Sequence, residues 1–254
     1  MSTPRYRRPL PGPLAAARRR MLLTAWLKRP SPSTLHLGGF DMLFEEGLLD
    51  PRPALGFSLS QLLVDGLEVR AGERLLDIDC GAGLVSLTAK RAGADVVSLD
   101  SSQAAARCVR RSFLIAGFGE PDVRIGGGLE SVAGEQFDVI AWVPPTLDGS
   151  AASDAARRVV LDDRSRVTSV LNAAPSLLRR GGRLLMPFPD RDATPWLHDA
   201  FTAAGLRFAP IRYVEASVLG PVRLYRAWPA RHGAPGEVPA GEAMSGTQWV
   251  LKDR

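Results

Sequence analysis

The chain has 254 residues, 45% of them hydrophobic, which suits one α/β domain with additions and leaves little room for two full domains. Eight of the 32 basic residues fall within residues 1 to 29, where there is no acid, and the remaining 24 face 27 acidic residues, so the body is mildly acidic and an extended nucleic-acid surface on it is not expected. The two cysteines, Cys80 and Cys108, are too few for a disulfide framework and point to a reducing, cytoplasmic compartment, and no apolar run reaches the roughly 18 residues of a membrane span, so a soluble protein is expected.

Residues 1 to 13 carry Pro4, Pro9, Pro11 and Pro13 among arginines, a composition that buries no core. A helix is predicted from Leu14 to Lys28. Arg18-Arg19-Arg20 ahead of Met21 to Leu27 has the outline of a secretion signal, but the apolar part is seven residues long and runs into Lys28-Arg29-Pro30 without a small-residue cleavage site. A basic helix on the domain, or a translation start at Met21, is the simpler reading. Pro30 to Pro53 is a connecting region with breakers at both ends and a short helical pattern from Asp41 to Leu48, placed to cover a cofactor or substrate. Ser58 or Ser60 then caps a helix with leucines at 59, 62, 63 and 67.

The stretch from Glu73 to Asp100 organises the remainder of the chain. Arg74 to Asp79 is a short apolar run ending in carboxylates, Cys80-Gly81-Ala82-Gly83 a tight turn, Leu84 to Arg91 a helix, and Val96 to Leu99 a second buried strand with Asp100 at its tip. In a parallel sheet, strand tips and the helix N-terminus between them face one crevice. Small residues at 81 to 83 let a ligand approach the backbone, and an acid at the second tip is placed to accept both hydroxyls of a ribose.

Ser101 or Ser102 caps the next helix, which reaches about Ala116 with Cys108 on its apolar face, and Gly117 and Gly119 follow it. Strands are predicted at Asp122 to Ile125 and at Phe137 to Trp142, the second ending in Val143-Pro144-Pro145-Thr146. A helix bent at Pro175 spans about Arg164 to Leu178, and Arg180-Gly181-Gly182 turns into a strand at Arg183 to Phe188. A helix from Thr194 to Ala204 and two strands within residues 206 to 228 complete the pattern. Strand alternating with helix requires a parallel sheet. The fold class is therefore α/β, a doubly wound, mostly parallel seven-stranded sheet with an antiparallel closing hairpin. Residues 1–54 form a basic extension and connecting region, 55–230 the domain and 231–254 a tail, in which Trp249-Val250-Leu251 is a candidate docking strand. His36, His198 and His232 are too scattered to suggest a metal site.

Four motifs in order carry a family likeness: Leu75-Leu76-Asp77-Ile78-Asp79-Cys80-Gly81-Ala82-Gly83, Asp100 one strand later, Phe137-Asp138-Val139-Ile140 followed by Pro144-Pro145, and Leu177-Leu178-Arg179-Arg180-Gly181-Gly182-Arg183-Leu184-Leu185. Together they resemble the class I S-adenosylmethionine-dependent methyltransferases over roughly residues 55 to 228. The double proline, with Leu55-Gly56-Phe57-Ser58 ahead of the first strand, is most similar to the branch holding release-factor glutamine methyltransferases and certain ribosomal RNA guanine methyltransferases. A dinucleotide enzyme would continue the glycine fingerprint where this chain has Ser86.

The resemblance implies S-adenosyl-L-methionine as cofactor, with Asp77, Asp79, Gly81 and Gly83 lining its methionine half and Asp100 on the ribose hydroxyls. Cys80, Ser101 and Leu129 complete the implied cofactor-binding set, and Trp142, Val143, Pro144 and Pro145 the implied substrate-binding set beside the transferred methyl. Three positions depart from the family pattern. Asp79 replaces the first glycine of the turn, and Gly126-Gly127-Gly128 offers no acid after the third strand, which leaves Glu130 to reach the adenine edge. Val143 replaces the asparagine of Asn-Pro-Pro-Tyr. Asp79 fits the turn if its carboxylate meets the cofactor's ammonium. Valine offers no acceptor to a planar amide or aromatic amine, so a small-molecule oxygen or alkyl-amine nucleophile is expected rather than nucleic acid. A protein or RNA target, and a relative that binds without catalysis, are the alternatives. Methyl transfer depends on alignment more than on acid–base groups, and no catalytic residue is assigned.

Overall fold

The computed structural model describes residues 33–45, 48, 58–144, 164–190, 194–214 and 221–231. The predicted helix at 14 to 28, the prolines at 51 and 53 and the candidate strand at 249 to 251 lie outside the described residues. The described residues open on a hairpin, β1 (Thr34–Leu37) and β2 (Phe40–Leu43), turning through Gly38 and Gly39, both at positive φ. Its core elements follow: α1 (Leu59–Asp65), β3 (Arg74–Ile78), α2 (Leu84–Arg91), β4 (Asp95–Asp100), α3 (Gln103–Ile115), β5 (Asp122–Ile125) and β6 (Phe137–Trp142). Then come α4 (Ser165–Leu177), β7 (Leu178–Pro189), α5 (Thr194–Ala203), β8 (Leu206–Val214) and β9 (Val222–Pro229).

Two expectations are corrected. Asp41 to Leu48 is not helical at its start: Leu35, Phe40 and Met42 are buried while His36 and Asp41 are exposed, the period-two signature of a strand. Phe44 and Leu48, both buried, sit four residues apart and imitate a helical stripe. The strand expected at Arg183 to Phe188 begins at Leu178, directly after α4. Leu178 pairs with Phe137 and Arg183 with Val139, so five residues of β7 oppose two of β6 and the surplus bulges out. Gly182 belongs to that bulge, because a Cβ there would meet the carbonyls of Arg179 and Phe137 at 3.0 Å.

The sheet order is β5-β4-β3-β6-β7-β9-β8. Six strands share one direction, and β9, inserted between β7 and β8, opposes them. This is the mostly parallel seven-stranded sheet with a closing hairpin that the alternation of elements requires. Apolar side chains cover both faces. Trp142, Phe188, Phe201 and Tyr225 pack with α4 and α5 on one side, and Leu62, Leu63, Leu75 and Val85 with α1 and α2 on the other. A third cluster forms where the β1–β2 hairpin covers α3, setting Leu35, Phe40 and Met42 on Cys108, Val109 and Phe113. The Leu43 amide donates to Ser112 Oγ at 3.0 Å, and Arg107 makes a forked pair with Glu45. Cys108 is core, as its place on the apolar face of α3 predicts. Among the described residues, no helix is long and apolar enough to cross a membrane.

Candidate active site at the strand tips

Where β3 ends the chain must reverse into α2 within five residues, and it does so by left-handed backbone at Asp79 (φ +56), Gly81 (φ +54) and Gly83 (φ +90). The glycines serve different needs. A Cβ on Gly83 would lie 3.0 Å from Val109 Cγ2 of α3, so this position is demanded by packing. A Cβ on Gly81 would meet nothing nearer than the Asp79 carbonyl at 3.9 Å, so this position leaves room beside bare backbone. Gly83 caps α2 without a side-chain bond, and the helix presents a positive N-terminal end to the same turn.

Three carboxylates gather around this turn, each held differently. Asp100, at the tip of β4, is buried, with Oδ2 accepting the Gly81 amide at 3.0 Å and Oδ1 the Ser102 amide at 2.8 Å. Those two bonds fix the carboxylate plane and tie the turn to the neighbouring strand. Asp77 lies beneath the turn, 3% exposed, and its Oδ2 accepts both the amide (3.1 Å) and the hydroxyl (2.6 Å) of Ser86, which in turn meets Ser98 Oγ at 2.8 Å. Burial, the largest influence, pushes the Asp77 carboxyl up to about 7; the Ser86 bonds oppose the rise, and the charges of Asp100 and Asp79 add to it. Ser86 thus fills the place where a dinucleotide fingerprint would have glycine and braces α2 on β3.

Asp79 makes the third set of contacts. Its Oδ2 accepts Trp142 Nε1 at 2.8 Å, and its Oδ1 accepts an Nη2 proton of Arg166, whose Nη1 donates to the Gly127 carbonyl at 2.9 Å. The carboxylate therefore joins the turn after β3 to the tip of β6 and the start of α4. Arg166 and the Trp142 contact carry no signal in the sequence, because both partners lie more than sixty residues from Asp79.

Not all of the remaining expected residues fall around this centre. Cys80 is buried within the turn, its amide donating to the Leu99 carbonyl at 3.1 Å. Ser101 is exposed beside Asp100, and the cap of α3 is Ser102, which accepts the Ala105 amide. Trp142 is fully buried, Val143 is half-buried against the α1–α2 cluster and Pro144 is buried; Pro145 lies outside the described residues. Glu130 folds its carboxylate back over Gly128 instead of pointing away from the loop. Leu129 packs against the α4 face of the core and lines a cavity of about 620 Å³ with Arg74, Glu135 and Arg179. That cavity sits at the starting ends of β3, β6 and β7, away from the turn. Its charges are already paired, Arg74 with Glu135 and Arg179 with Asp138, which makes it a structural cleft.

An acid at the tip of β4, a bare-backbone turn from β3 into α2 and a seven-stranded sheet with β9 inserted antiparallel define the class I methyltransferase fold. A solved methyltransferase from Pyrococcus furiosus shares it, with a TM-score of 0.56 at 18% identity over 84% of this chain and 98% of that one. Residues 58–203 match the family model described as the methyltransferase small domain, and the chain belongs to that family of S-adenosylmethionine-dependent methyltransferases. Among curated proteins, ribosomal RNA small subunit methyltransferase C of Chromohalobacter salexigens is 29% identical over 151 residues, covering 56% of this chain and 40% of that protein. Ubiquinone biosynthesis O-methyltransferase of Xanthomonas euvesicatoria pv. vesicatoria is 30% identical over 116 residues, covering 46% of this chain and 43% of that protein. The chain spans less than half the length of these two relatives.

Proposed function

We propose that this chain transfers the methyl group of S-adenosylmethionine to RNA. The observation that carries the donor half of this reading is the turn between Asp79 and Asp100, where Gly81 leaves open space over the backbone and the Asp100 carboxylate is held rigid by two amides. Such a site fits a nucleoside that needs close backbone approach and an anchored acid for its hydroxyls. Asp100 with Gly81 would hold the ribose side, and Asp79 with the amides at the start of α2 the amino-acid side. When bound, the sulfonium supplies an electrophilic methyl, and the protein's part is to align the acceptor with it and keep water out.

The acceptor half rests on likeness and charge. A ribosomal RNA methyltransferase is among the relatives with the widest match, and eight basic residues without an acid stand ahead of the domain, a composition suited to phosphate contacts. A second reading, methyl transfer to a small-molecule oxygen, is favoured by Val143: it offers no side-chain acceptor to orient a planar nitrogen, and an O-methyltransferase is matched at 30% identity. Incubating the chain with donor labelled in its methyl group, together with either unmodified small-subunit ribosomal RNA or a catechol, separates the two. Label on RNA supports the proposal. Label on the catechol alone replaces it with the second reading.

A further inference from the structure

We propose that Asp79 and Arg166 together clamp the amino-acid end of the methyl donor, the Arg166 guanidinium facing its carboxylate and the Asp79 carboxylate its ammonium. The assignment rests on the proposed donor site and goes beyond it by giving a residue of α4, far from the turn in sequence, a part in that site. Asp79 occupies φ +56, left-handed backbone that Asn and Asp enter more readily than other non-glycine residues but still at a cost that a fixed side-chain contact offsets. Two such contacts are present, from Trp142 Nε1 and Arg166 Nη2, and they come from two different elements.

Those contacts leave capacity over. A carboxylate offers about four acceptor sites and a guanidinium five donors. Among the described residues, Asp79 uses its side chain on Trp142 and Arg166, and Arg166 uses its own on Asp79 and the Gly127 carbonyl. Neither side chain is closed off, Asp79 being 23% exposed and Arg166 40%. The pair therefore presents adjacent fixed charges of opposite sign at the edge of the open turn. An α-amino acid end, with ammonium and carboxylate on one carbon, carries the complementary pair. A salt bridge meant only to staple α4 to the turn would gain little from remaining this open to solvent.

The test is calorimetry of the full chain with S-adenosylhomocysteine, which has the amino-acid end, and with 5′-methylthioadenosine, which lacks it. Arg166→Gln shortens the side chain modestly and removes its charge. Asp79→Gly removes the acid while installing the residue best suited to φ +56, so it keeps the test available should Arg166→Gln unfold. Each variant should weaken S-adenosylhomocysteine roughly ten- to hundredfold and leave 5′-methylthioadenosine within about twofold of the native chain, as expected for lost charge-assisted bonds to one ligand only. Equal weakening of both nucleosides would assign the pair a purely structural role and overturn the proposal, as would unchanged binding of S-adenosylhomocysteine. A native chain that binds neither nucleoside would instead remove the donor site on which the proposal stands.

Discussion

Trp142 Nε1 donates to Asp79 Oδ2 at 2.8 Å, so the last residue of β6 is tied to the left-handed residue that follows β3. The two strands are already neighbours, with Ile78 opposite Trp142, and this bond carries their pairing one residue past the end of the ladder. It also fixes the carboxylate, which stays partly open to solvent, beside the start of Val143-Pro144. Trp142→Phe would keep most of the ring packing but drop the donor and leave a void. The expected loss of stability is about 2 to 4 kcal/mol, a charged hydrogen bond plus a partly filled cavity, read from urea denaturation. A loss under about 0.5 kcal/mol would mean that Asp79 does not depend on this donor.

Asp77 gives a prediction in pH. Its carboxyl is raised from 3.8 to about 7 by burial, so between those values the folded chain holds a proton that the unfolded chain has lost. The stability this group contributes is fully present below about pH 4 and is lost as pH rises through about 7. Asp77→Asn mimics the protonated form and can still accept from Ser86. The melting temperature of the native chain should fall more steeply than that of Asp77→Asn from about pH 4 to pH 7. Parallel curves would show that Asp77 is not the titrating group.

The two glycines of the turn should respond differently to alanine. At Gly83 the new Cβ meets Val109 Cγ2 at 3.0 Å on backbone of φ +90, and Val109 would have to give by a few tenths of an ångström in the seam between α2 and α3. Stability should fall by about 2 to 4 kcal/mol, left-handed strain plus overpacking. At Gly81 only the strain applies, about 1 to 2 kcal/mol, since the nearest atom is 3.9 Å away. That variant should stay folded at 25 °C yet bind S-adenosylhomocysteine more weakly, because the methyl group enters the space over the turn. Chemical denaturation and calorimetry on both variants check the contrast; identical behaviour at the two positions would contradict it.

Much of the sheet was legible because its strands are short apolar runs bounded by glycine, proline or charge. Asp122 to Ile125 and Phe137 to Trp142 match their observed bounds, and Ser58 caps its helix by accepting the Gln61 amide, as a cap serine should. The hairpin at 34–43 was hidden because Phe44 and Leu48 add a four-residue spacing to a two-residue alternation, and only packing on α3 decides between them. The extra length of β7 was hidden because Gly181-Gly182 reads as a turn when no partner strand is in view, and as a bulge once Phe137 and Val139 are placed opposite. At the site, local spacing reveals the turn and Asp100. Asp77 is legible as a carboxylate but not as one committed to Ser86, and the partners of Asp79 arrive only through the fold, 63 and 87 residues away.

Donor binding and acceptor binding should separate when the basic segment is removed. Residues 1 to 29 hold eight arginines and lysines and no acid, whereas the rest of the chain carries a small excess of acid, so attraction to phosphate concentrates ahead of the domain. The turn, Asp100, Trp142 and the three described apolar clusters are all built from residues 35 onward. A chain starting at Pro30 should therefore bind S-adenosylhomocysteine as tightly as the full chain. Its affinity for small-subunit ribosomal RNA should be lower and less sensitive to salt, because each basic residue that neutralises a phosphate adds roughly 0.7 to 0.9 to the slope of log affinity against log salt. If half of the eight make such contacts, the slope should shrink by about 3 units, measured by filter binding or fluorescence anisotropy between about 50 and 200 mM salt. An unchanged slope together with intact nucleoside binding would place the acceptor on the acidic body, where a small uncharged molecule fits better than a polyanion, and would move the function to the second reading. Loss of nucleoside binding on the same truncation would mean that the segment completes the donor site.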